Sequence, residues 1–279
     1  MPSIVIPAHN EEAVIERCLR SVLLEPRPDD LEVIVVCNGC SDETARIAGN
    51  FDPIITVIET DVPSKSNALN LGDEAATRFP RMYLDADIEL MPGALSETLR
   101  TIDGNIHAAA PRPVFDTFGA SIAVRMFYKA WEQVPYFNDS MIGSGVYALS
   151  EQGRSRFDRF PDIIADDGFV RLQFESSERR CTGGSGFIVR TPLRMDKLVS
   201  IKSRVLAGTD ELHREFPELA GREETSRSAG IGTVLARPHL WPCFAVYAWT
   251  KRSIRRRVTR KARSGRLAQW DRDDTSRAG

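Results

Sequence analysis

Asp85 and Asp87 stand one residue apart, directly after the apolar run "MYL". Residues i and i+2 of an extended chain point to the same side, so both carboxylates are expected to face one ligand. Two hard oxygen donors suit Mg²⁺ or Mn²⁺, which commonly bind through one or two carboxylates together with substrate phosphates. A solvated acid pair that caps the next helix is the alternative for this triplet alone. Because a buried carboxylate is costly unless it is compensated, the apolar strand before the pair favours a cation as its partner.

Cys37 and Cys40 form a C-x-x-C pattern directly after a predicted strand and before a predicted helix. The N-terminus of a helix favours a thiolate, and thioredoxin-like redox pairs occupy such a position. A zinc site is less suited, since four ligands are wanted and the sequence offers no second pair. A redox function would leave the aspartates unexplained, and it stands as the alternative function.

The elements that must position these residues alternate between strand and helix. The predicted strands are "SIVIP", "EVIVV", "PIITVIE" and "MYLD", and the helices between them are "EEAVIERCLRSVLLE", "SDETARIAG" and "KSNALNLGDEAATRF". We expect Glu11 and Glu12 in the first turn of the first helix, and Ser41 or Asp42 as the cap of the second. This order predicts an α/β fold with a mostly parallel sheet, in which ligands bind beyond the carboxyl ends of the strands.

Polar clusters fall where those four strands end: "AHNEE", "CNGCSD", "PSKSN" and "DADIE". Their shared location is a stronger indication of a binding site than any one cluster. Farther along, "GNIHAAAPRPVF", "GSGVYALS" and "GFIVRT" are predicted strands, while "ASIAVRMFYKAWEQV" and "ADDGFVRLQF" are predicted helices. From Arg194 onward we expect mostly helix and irregular segments.

The composition is that of an ordinary soluble protein. The 279 residues are 42% hydrophobic and 27% charged with a net charge of -2, which argues against a wholly basic nucleic-acid binder. The odd count of five cysteines in a long chain argues against a disulfide framework and favours a reducing cytoplasm. The opening "MPSIVIPAHNEE" has no secretory pattern.

Six segments occur in order over about residues 3–175: "SIVIPAHNEE", "VVCNGCSDET", "KSNALNLG", "YLDADIEL", "GSGVYALS" and "IADDGFVRLQF". Together they resemble the family 2 glycosyltransferases, which have the GT-A fold. The resemblance implies transfer of a sugar from a nucleotide-sugar, with a UDP-sugar favoured, to a hydroxyl acceptor with inversion. The Gln-x-x-Arg-Trp motif of processive members has no clear match, Arg204 being the nearest candidate. A GT-A domain that binds nucleotide-sugars without catalysis is a further alternative.

The resemblance places the nucleotide at the first three strand ends. Pro7, His9 and Glu11 match positions that contact base and ribose, with His9 where an aromatic ring stacks on the base. Asn38 stands where the family usually has an aspartate that bonds the base edge. This departure leaves the base open, because an amide both donates and accepts whereas a carboxylate only accepts. Lys65 matches a basic position near the nucleotide; a surface lysine at a helix end is its alternative.

The resemblance also assigns the acids. Asp87 would be the principal metal ligand, and Asp85, with Ala86 between them, would bind ribose or water around the ion. The metal would neutralise the diphosphate leaving group. Asp166 and Asp167 match the family's acidic pair, with Asp167 as the base that takes the acceptor's proton. The alternative is that the two aspartates cap the helix that follows.

A glycine-led segment completes the predicted site. Gly143, Ser144 and Gly145 would let the backbone approach the donor or acceptor sugar closely, although a tight turn before a strand is an equal alternative.

The C-terminal segment joins the apolar "PHLWPCFAVYAW" to the basic "TKRSIRRRVTRKARSGR". This composition suits peripheral attachment to an anionic membrane at the inner face of the cell membrane, with a lipid-linked or carbohydrate acceptor. A packed helix followed by a solvated tail is the alternative. We therefore predict a catalytic domain over residues 1–230 and an apolar and basic extension over residues 231–279, in a cytoplasmic protein that does not bind nucleic acid.

Overall fold

The structure is a computed structural model that describes residues 2–23, 30–134, 145–221 and 237–263. Its strands are β1 Ser3–Ala8, β2 Glu32–Asn38, β3 Ile55–Thr60, β4 Arg81–Leu84, β5 Glu89–Leu90, β6 Ala108–Asp116, β7 Val146–Leu149 and β8 Arg179–Arg190. Its α-helices are α1 Ile15–Leu23, α2 Thr44–Gly49, α3 Lys65–Ala75, α4 Ala94–Thr101, α5 Ile122–Trp131, α6 Glu151–Arg154, α7 Asp166–Arg171, α8 Met195–Glu215, α9 Pro217–Ala220 and α10 Trp241–Arg263. Short 3₁₀ turns lie at Ser176–Glu178 and Pro238–Leu240.

The described strands form one eight-stranded sheet in the order β3-β2-β1-β4-β7-β6-β8-β5. Strands β1 to β4 run parallel to one another, which confirms the predicted parallel half. Strand β7 runs antiparallel to both β4 and β6, and β5 runs antiparallel to β8. The parallel half carries its four carboxyl ends to one edge, where the predicted polar clusters lie.

Apolar residues on both faces explain why β1 and β2 are central strands. All six residues of β1 and six of the seven in β2 are buried. Ile4, Ile6 and Val35 join one core with the buried face of α1. On the opposite face, α3 packs against β1 and β2, and a β-carbon at Gly72 would collide with Val5. Strands covered on both sides read as continuous apolar runs, as these two do.

The chain forms two compact units, Met1–Val114 with Met141–Val189 and Phe115–Ser140 with Arg190–Gly279. In the second unit, α10 packs against α5 and α8 around Val124, Tyr128 and Leu198. No helix in the described ranges combines the length and apolarity that crossing a bilayer requires. The predicted domain boundary at residue 230 falls outside the described residues and stays a prediction.

Two sequence predictions about helix starts are wrong. Helix α1 begins at Ile15, so Glu11 and Glu12 precede it, and the Glu11 carbonyl accepts hydrogen bonds from the N–H groups of the turn that follows. Asn10, with φ of 52°, turns the chain before that point. Helix α2 begins at Thr44 with Glu43 at the N-cap position and no side-chain cap. The carboxylate of Asp42 instead accepts from the Thr44 N–H at 3.1 Å.

Strand β8 is longer than the predicted "GFIVRT". It starts at Arg179 and includes the glycine-containing stretch "TGGSG". Local composition favours a loop there, but the pairing of β8 within the sheet overrides that preference.

Candidate active site

The candidate residues lie beyond the carboxyl ends of β1 to β4, within the first unit. In the sheet register, Ala8 pairs with Cys37, and Asn38 pairs with Thr60, so these strands end side by side. His9 follows β1 and Asp85 follows β4, while Lys65 opens α3 after β3. The parallel topology therefore brings His9 and Asp85, 76 positions apart along the chain (85 − 9), to the same edge of the sheet.

Asn38 is fixed by the backbone of β1. Its side chain is buried, and its Nδ2 donates a hydrogen bond to the carbonyl of Ala8 at 2.9 Å. The ring Nδ1 of His9 lies within hydrogen-bond distance of the Asn38 carbonyl, and since a carbonyl only accepts, the proton is assigned to Nδ1. A carboxylate could not donate to Ala8, so an amide at position 38 has a structural reason. One N–H of Nδ2 is thereby used, and the amide keeps a second N–H and Oδ1.

The loop after β1 and the loop after β2 are joined by direct hydrogen bonds. Residues 10–12 of the first loop bond residues 41–44 of the second. The bonds are Ser41 N–H to Asn10 Oδ1 at 2.7 Å, Glu11 N–H to Thr44 Oγ1 at 2.7 Å, Glu12 N–H to Asp42 Oδ2 at 3.1 Å, and Glu43 N–H to Glu12 Oε2 at 3.1 Å. Pro7 stands in β1 opposite Val36. The two loops thus form one braced surface beside His9.

Lys65 joins the two acidic groups of the site. Its Nζ lies 2.8 Å from Oδ1 of Asp85 and 3.2 Å from Oδ2 of Asp166. Burial lowers the pKa of Lys65, but the carboxylates of Asp166, Asp85 and Asp167 outweigh that effect and hold the pKa above its ordinary value. Although it stands at the start of α3 and is partly exposed, the lysine is therefore a cation held among carboxylates.

Asp166 and Asp167 are the first two residues of α7, and Ala165 occupies the N-cap position without a side-chain cap. Neither aspartate is the N-cap residue, but the alternative holds in part, because Asp167 Oδ1 accepts from the Gly168 N–H at 2.7 Å in the first turn, where the helix dipole favours acid. Burial raises the pKa of Asp166, against the opposing effect of Lys65. Burial, and then the charge of Asp166, raise the pKa of Asp167 to about 7. A carboxyl group with this pKa is suited to take a proton near neutral pH.

The chain after β4 is a turn and not an extended segment. The carbonyl of Asp85 accepts from the Ile88 N–H at 3.1 Å, so the extended backbone assumed for Asp85 and Asp87 is wrong, whereas the prediction that both carboxylates face one ligand stays a prediction. The reason is that Ala86 and Ile88 are buried in the core, which closes the turn around them. Asp85 is partly buried against Lys65, whereas Asp87 is exposed.

Gly145 lies directly against Asp85. Its φ is +88°, and a β-carbon on it would stand 2.7 Å from Oδ2 of Asp85. The Gly145 carbonyl also accepts from the Asp85 N–H at 2.7 Å. Both the left-handed backbone and the close approach require glycine here. Gly143 and Ser144 lie outside the described residues.

The acids fit a divalent ion that substrate oxygens would complete. The part of the chain that the structure describes contains no group of three or more histidine, cysteine or acidic residues placed to hold a metal. Mg²⁺ and Mn²⁺ bound through one or two carboxylates plus phosphate oxygens do not need such a group. The exposed carboxylate of Asp87 suits that role directly, and Asp85 would share its carboxylate with Lys65.

The C-x-x-C pair does not have the properties of a redox centre. All five cysteines are free. Burial, and then the neighbouring Cys40, raise the pKa of Cys37 to about 12, whereas a redox pair requires a thiolate near neutral pH. The Cys40 thiol lies 3.5 Å from the Ala8 carbonyl and 3.4 Å from the Asn10 N–H, so it helps to brace the loops.

Sequence reasoning missed residues that hold α3 and α7 in place. Asn70 bonds the backbone of Phe160 in both directions, at 3.0 Å and 2.8 Å, and Ser66 donates to Asp162 at 2.8 Å. Buried polar residues on a predicted helix were the available signal. Tyr147 was also missed: its hydroxyl is buried without a hydrogen-bond partner among the described residues, and its ring stacks on Tyr83 at 5.1 Å.

The model of glycosyl transferase family 2 matches residues 3–159. The chain therefore belongs to glycosyl transferase family 2, and its fold is GT-A. It is 28% identical over 169 residues to the 4,4'-diaponeurosporenoate glycosyltransferase of Staphylococcus aureus, which covers 58% of this chain and 42% of that protein. The chain thus spans less than half the length of the curated relatives it matches.

Solved structures support the fold assignment. The mannosyltransferase PcManGT from Pyrobaculum calidifontis, in complex with GDP-Man and Mn²⁺, is 18% identical with a TM-score of 0.61, over 96% of this chain and 85% of that one. Glucosyl-3-phosphoglycerate synthase from Mycobacterium tuberculosis, with Mn²⁺, UDP and phosphoglyceric acid, is 19% identical with a TM-score of 0.56, over 81% and 80%. S. aureus TarS 1-349 with UDP is 15% identical with a TM-score of 0.54, over 98% and 94%. At these identities the likeness concerns the fold alone.

Proposed function

We propose that this chain transfers a sugar from a nucleotide-sugar, a UDP-sugar foremost, to a hydroxyl acceptor with inversion at the anomeric carbon. The observation that carries the proposal is the position of Lys65, whose ammonium bonds both Asp85 of the turn after β4 and Asp166 beside the candidate base. One cation thus links the residues for the diphosphate and the residues for the acceptor. Membership of family 2 supports the same chemistry.

In this proposal the nucleotide lies along the braced loops. The ring of His9 stacks on the base, Oδ1 of Asn38 accepts from the base edge, and Pro7 and Glu11 contact base and ribose. The neighbours contain UDP or GDP-Man, so both pyrimidine and purine donors are known for this fold. UDP remains our first choice for the donor.

The four aspartates have different roles in the displacement of the nucleoside diphosphate by the acceptor hydroxyl. Asp167 takes the proton of the acceptor hydroxyl as its oxygen bonds the anomeric carbon, while the bond from that carbon to the diphosphate oxygen breaks and the nucleoside diphosphate leaves. Asp166 holds Lys65, which faces the developing negative charge. Asp87 and Asp85 would hold Mg²⁺ or Mn²⁺, which when bound would neutralise the leaving diphosphate.

The acceptor is proposed as a carbohydrate or a lipid-linked hydroxyl. The curated relatives are named for 4,4'-diaponeurosporenoate, and one neighbour contains phosphoglyceric acid, so acceptors in this family and fold are chemically varied. We also propose that the protein acts in the cytoplasm, with peripheral contact at the inner face of the cell membrane through its C-terminal segment.

Calorimetric titration with UDP, GDP and dTDP, each with and without Mn²⁺, tests the donor. We expect one nucleotide to bind tightly only with the metal, and Asp87→Asn to lose that metal dependence. Asp103→Asn, an exposed acid after α4, is the matched control and should bind as the wild type does. Absence of binding by any nucleotide to the folded protein would overturn the proposal. Tight binding without sugar transfer to any acceptor would instead favour the inactive nucleotide-sugar-binding domain.

A further inference from the structure

The exposed face of α10 is divided into an apolar half and a cationic half. Trp241 and Trp249 are 53% and 59% exposed, unusual for tryptophan. The other exposed residues of the first two turns and a half are Pro242, Ala245 and Ala248. On the same helical stripe, the exposed residues that follow include Arg252, Arg255, Arg256 and Arg260. Spacings of three, four, seven and eight residues place these side chains on one side of a helix.

The opposite face of α10 is already used. Cys243, Thr250 and Ile254 are buried, and the ring of Tyr247 packs at a tilt against Phe127 of α5 with ring centroids 5.3 Å apart. The helix also packs against α8, where Arg257 donates to the Ser200 hydroxyl at 3.1 Å. The packing within the second unit therefore fixes which face of α10 meets solvent. The apolar half and the cationic half are therefore both parts of the solvent-exposed face of α10.

We propose that this exposed face of α10 is a docking surface for an anionic lipid bilayer, which rests on the membrane contact of the proposed function and names the residues that make it. The two tryptophans would enter the headgroup region, where tryptophan is enriched in membrane proteins. The four arginines would pair with lipid phosphates, since cations near an anionic leaflet each add to binding. A helix of this kind lies in the plane of the interface and does not cross it.

The apolar half distinguishes a bilayer from other anionic partners. Arginines alone would suit a nucleic acid or an acidic protein equally well. Two exposed tryptophans beside proline and alanine bring no hydrogen-bond acceptors and little polarity, whereas an interfacial helix combines both halves. The surface does not depend on the transferase chemistry, because every residue in it belongs to the second unit and none is a candidate site residue.

Point variants of the full chain test the proposal better than a deletion. Removing α10 would uncover the apolar residues of α5 that it covers, including Phe127, so loss of binding would have a second explanation. We would instead sediment the protein with vesicles of phosphatidylcholine, with and without about one third of phosphatidylglycerol. The wild type should sediment with the anionic vesicles and far less with the neutral ones.

Two variants address the two halves separately. Replacing the four arginines by glutamine should lower the partition coefficient by about 100-fold or more. Trp241→Ser with Trp249→Ser should lower it by about 10-fold or more on the same vesicles. Far-UV circular dichroism and the urea-unfolding midpoint should remain as in the wild type for both, which shows that neither variant acts by unfolding the chain.

Matched controls make the outcome decisive. The first control replaces four exposed arginines of the first unit by glutamine: Arg20, Arg46, Arg100 and Arg180. The second is Phe118→Ser, which removes an aromatic ring that is 91% exposed in the second unit but not on α10. Both controls should sediment as the wild type does. Equal loss in the controls, unchanged binding in the α10 variants, or tight binding to a single-stranded RNA oligonucleotide with no vesicle binding would each overturn the proposal.

Discussion

The side chain of Asp85 lies so close to the backbone of Gly145 that no side chain fits at position 145. The left-handed φ of +88° and the 2.7 Å gap between an added β-carbon and Asp85 Oδ2 act on the same residue. Gly145, the residue directly before β7, has no side chain, and this lets the Asp85 carboxylate after β4 take its position. Substitution of Gly145 can therefore be used to separate the effect of backbone strain from the effect of displacing the Asp85 carboxylate.

Gly145→Ala should lower metal-dependent transfer by at least about 10-fold, because the methyl group pushes the Asp85 carboxylate from Lys65. Gly104→Ala is the matched control: its φ of +56° brings similar strain, but no atom lies within 4 Å of the added carbon. The control should lose only about 1 kcal/mol of stability and keep its activity. Steady-state kinetics and urea unfolding of both variants measure the two effects. Equal activity in the two would show that contact with Asp85 is unimportant.

Lys65→Met should lower kcat/KM by about 100-fold, because the ammonium no longer faces the developing charge. Lys65 opposes the rise in the pKa of Asp167, so its loss should also move the acidic limb of the pH–rate profile to higher pH. Lys129→Met, at an exposed position of α5, is the control and should leave the rate and the profile unchanged. A profile that keeps its wild-type midpoint in Lys65→Met would contradict the electrostatic link.

Asp167→Asn should abolish transfer and leave donor binding nearly intact, because only the acceptor's proton needs this carboxylate. In the wild type, kcat/KM should rise with pH through about 7, as the raised pKa of Asp167 is crossed and the carboxylate becomes able to accept a proton. Asp158→Asn, an exposed acid before α7, should keep the rate. Turnover near the wild-type level in Asp167→Asn would show that another group is the base.

The same carboxyl group should make stability depend on pH. Its pKa is raised from 3.8 to about 7 in the folded chain, so between these values the folded state binds more protons than the unfolded state. Stability should then fall as pH rises through that window. Asp167→Asn removes this loss. At pH 8 the variant should therefore have a higher Tm than the wild type, with a free energy of unfolding larger by on the order of 1 kcal/mol. At pH 5 the difference in Tm should be smaller. Thermal unfolding at the two pH values measures the difference.

Asn38→Asp restores the residue type that the family usually carries, yet it should destabilise this chain by about 1–3 kcal/mol. The reason is that the bond from Nδ2 to the Ala8 carbonyl is lost and a carboxylate oxygen faces that carbonyl in its place. Asn50→Asp, at the exposed end of α2, is the control and should stay within about 0.5 kcal/mol of the wild type. Urea unfolding that shows no difference between the variants would remove the proposed reason for asparagine.

The parallel half of the sheet was predictable because β1 and β2 are continuous apolar runs that end in polar clusters. The direction of β7 was not predictable, since Val146 and Tyr147 are apolar or aromatic whichever way the strand runs. The turn at Asp85 depends on burial of Ala86 and Ile88 in a core assembled from other strands. Local pattern therefore predicted the candidate residues, whereas their contacts, such as Lys65 with Asp166, depend on long-range packing.

The second unit is built from two separate segments of the chain, and this affects the order in which the chain can fold during synthesis. Helix α5 is made early, but the apolar residues of its inner face pack against α8 and α10, which are made about 70 and 120 residues later. Because the ribosome releases the chain from its N-terminus, α5 must wait with Val124 and Phe127 uncovered until those helices emerge. The first unit is likewise interrupted by α5, so a nascent chain carries an unfinished apolar surface through much of its synthesis. Such a surface is prone to aggregation until α10 is complete.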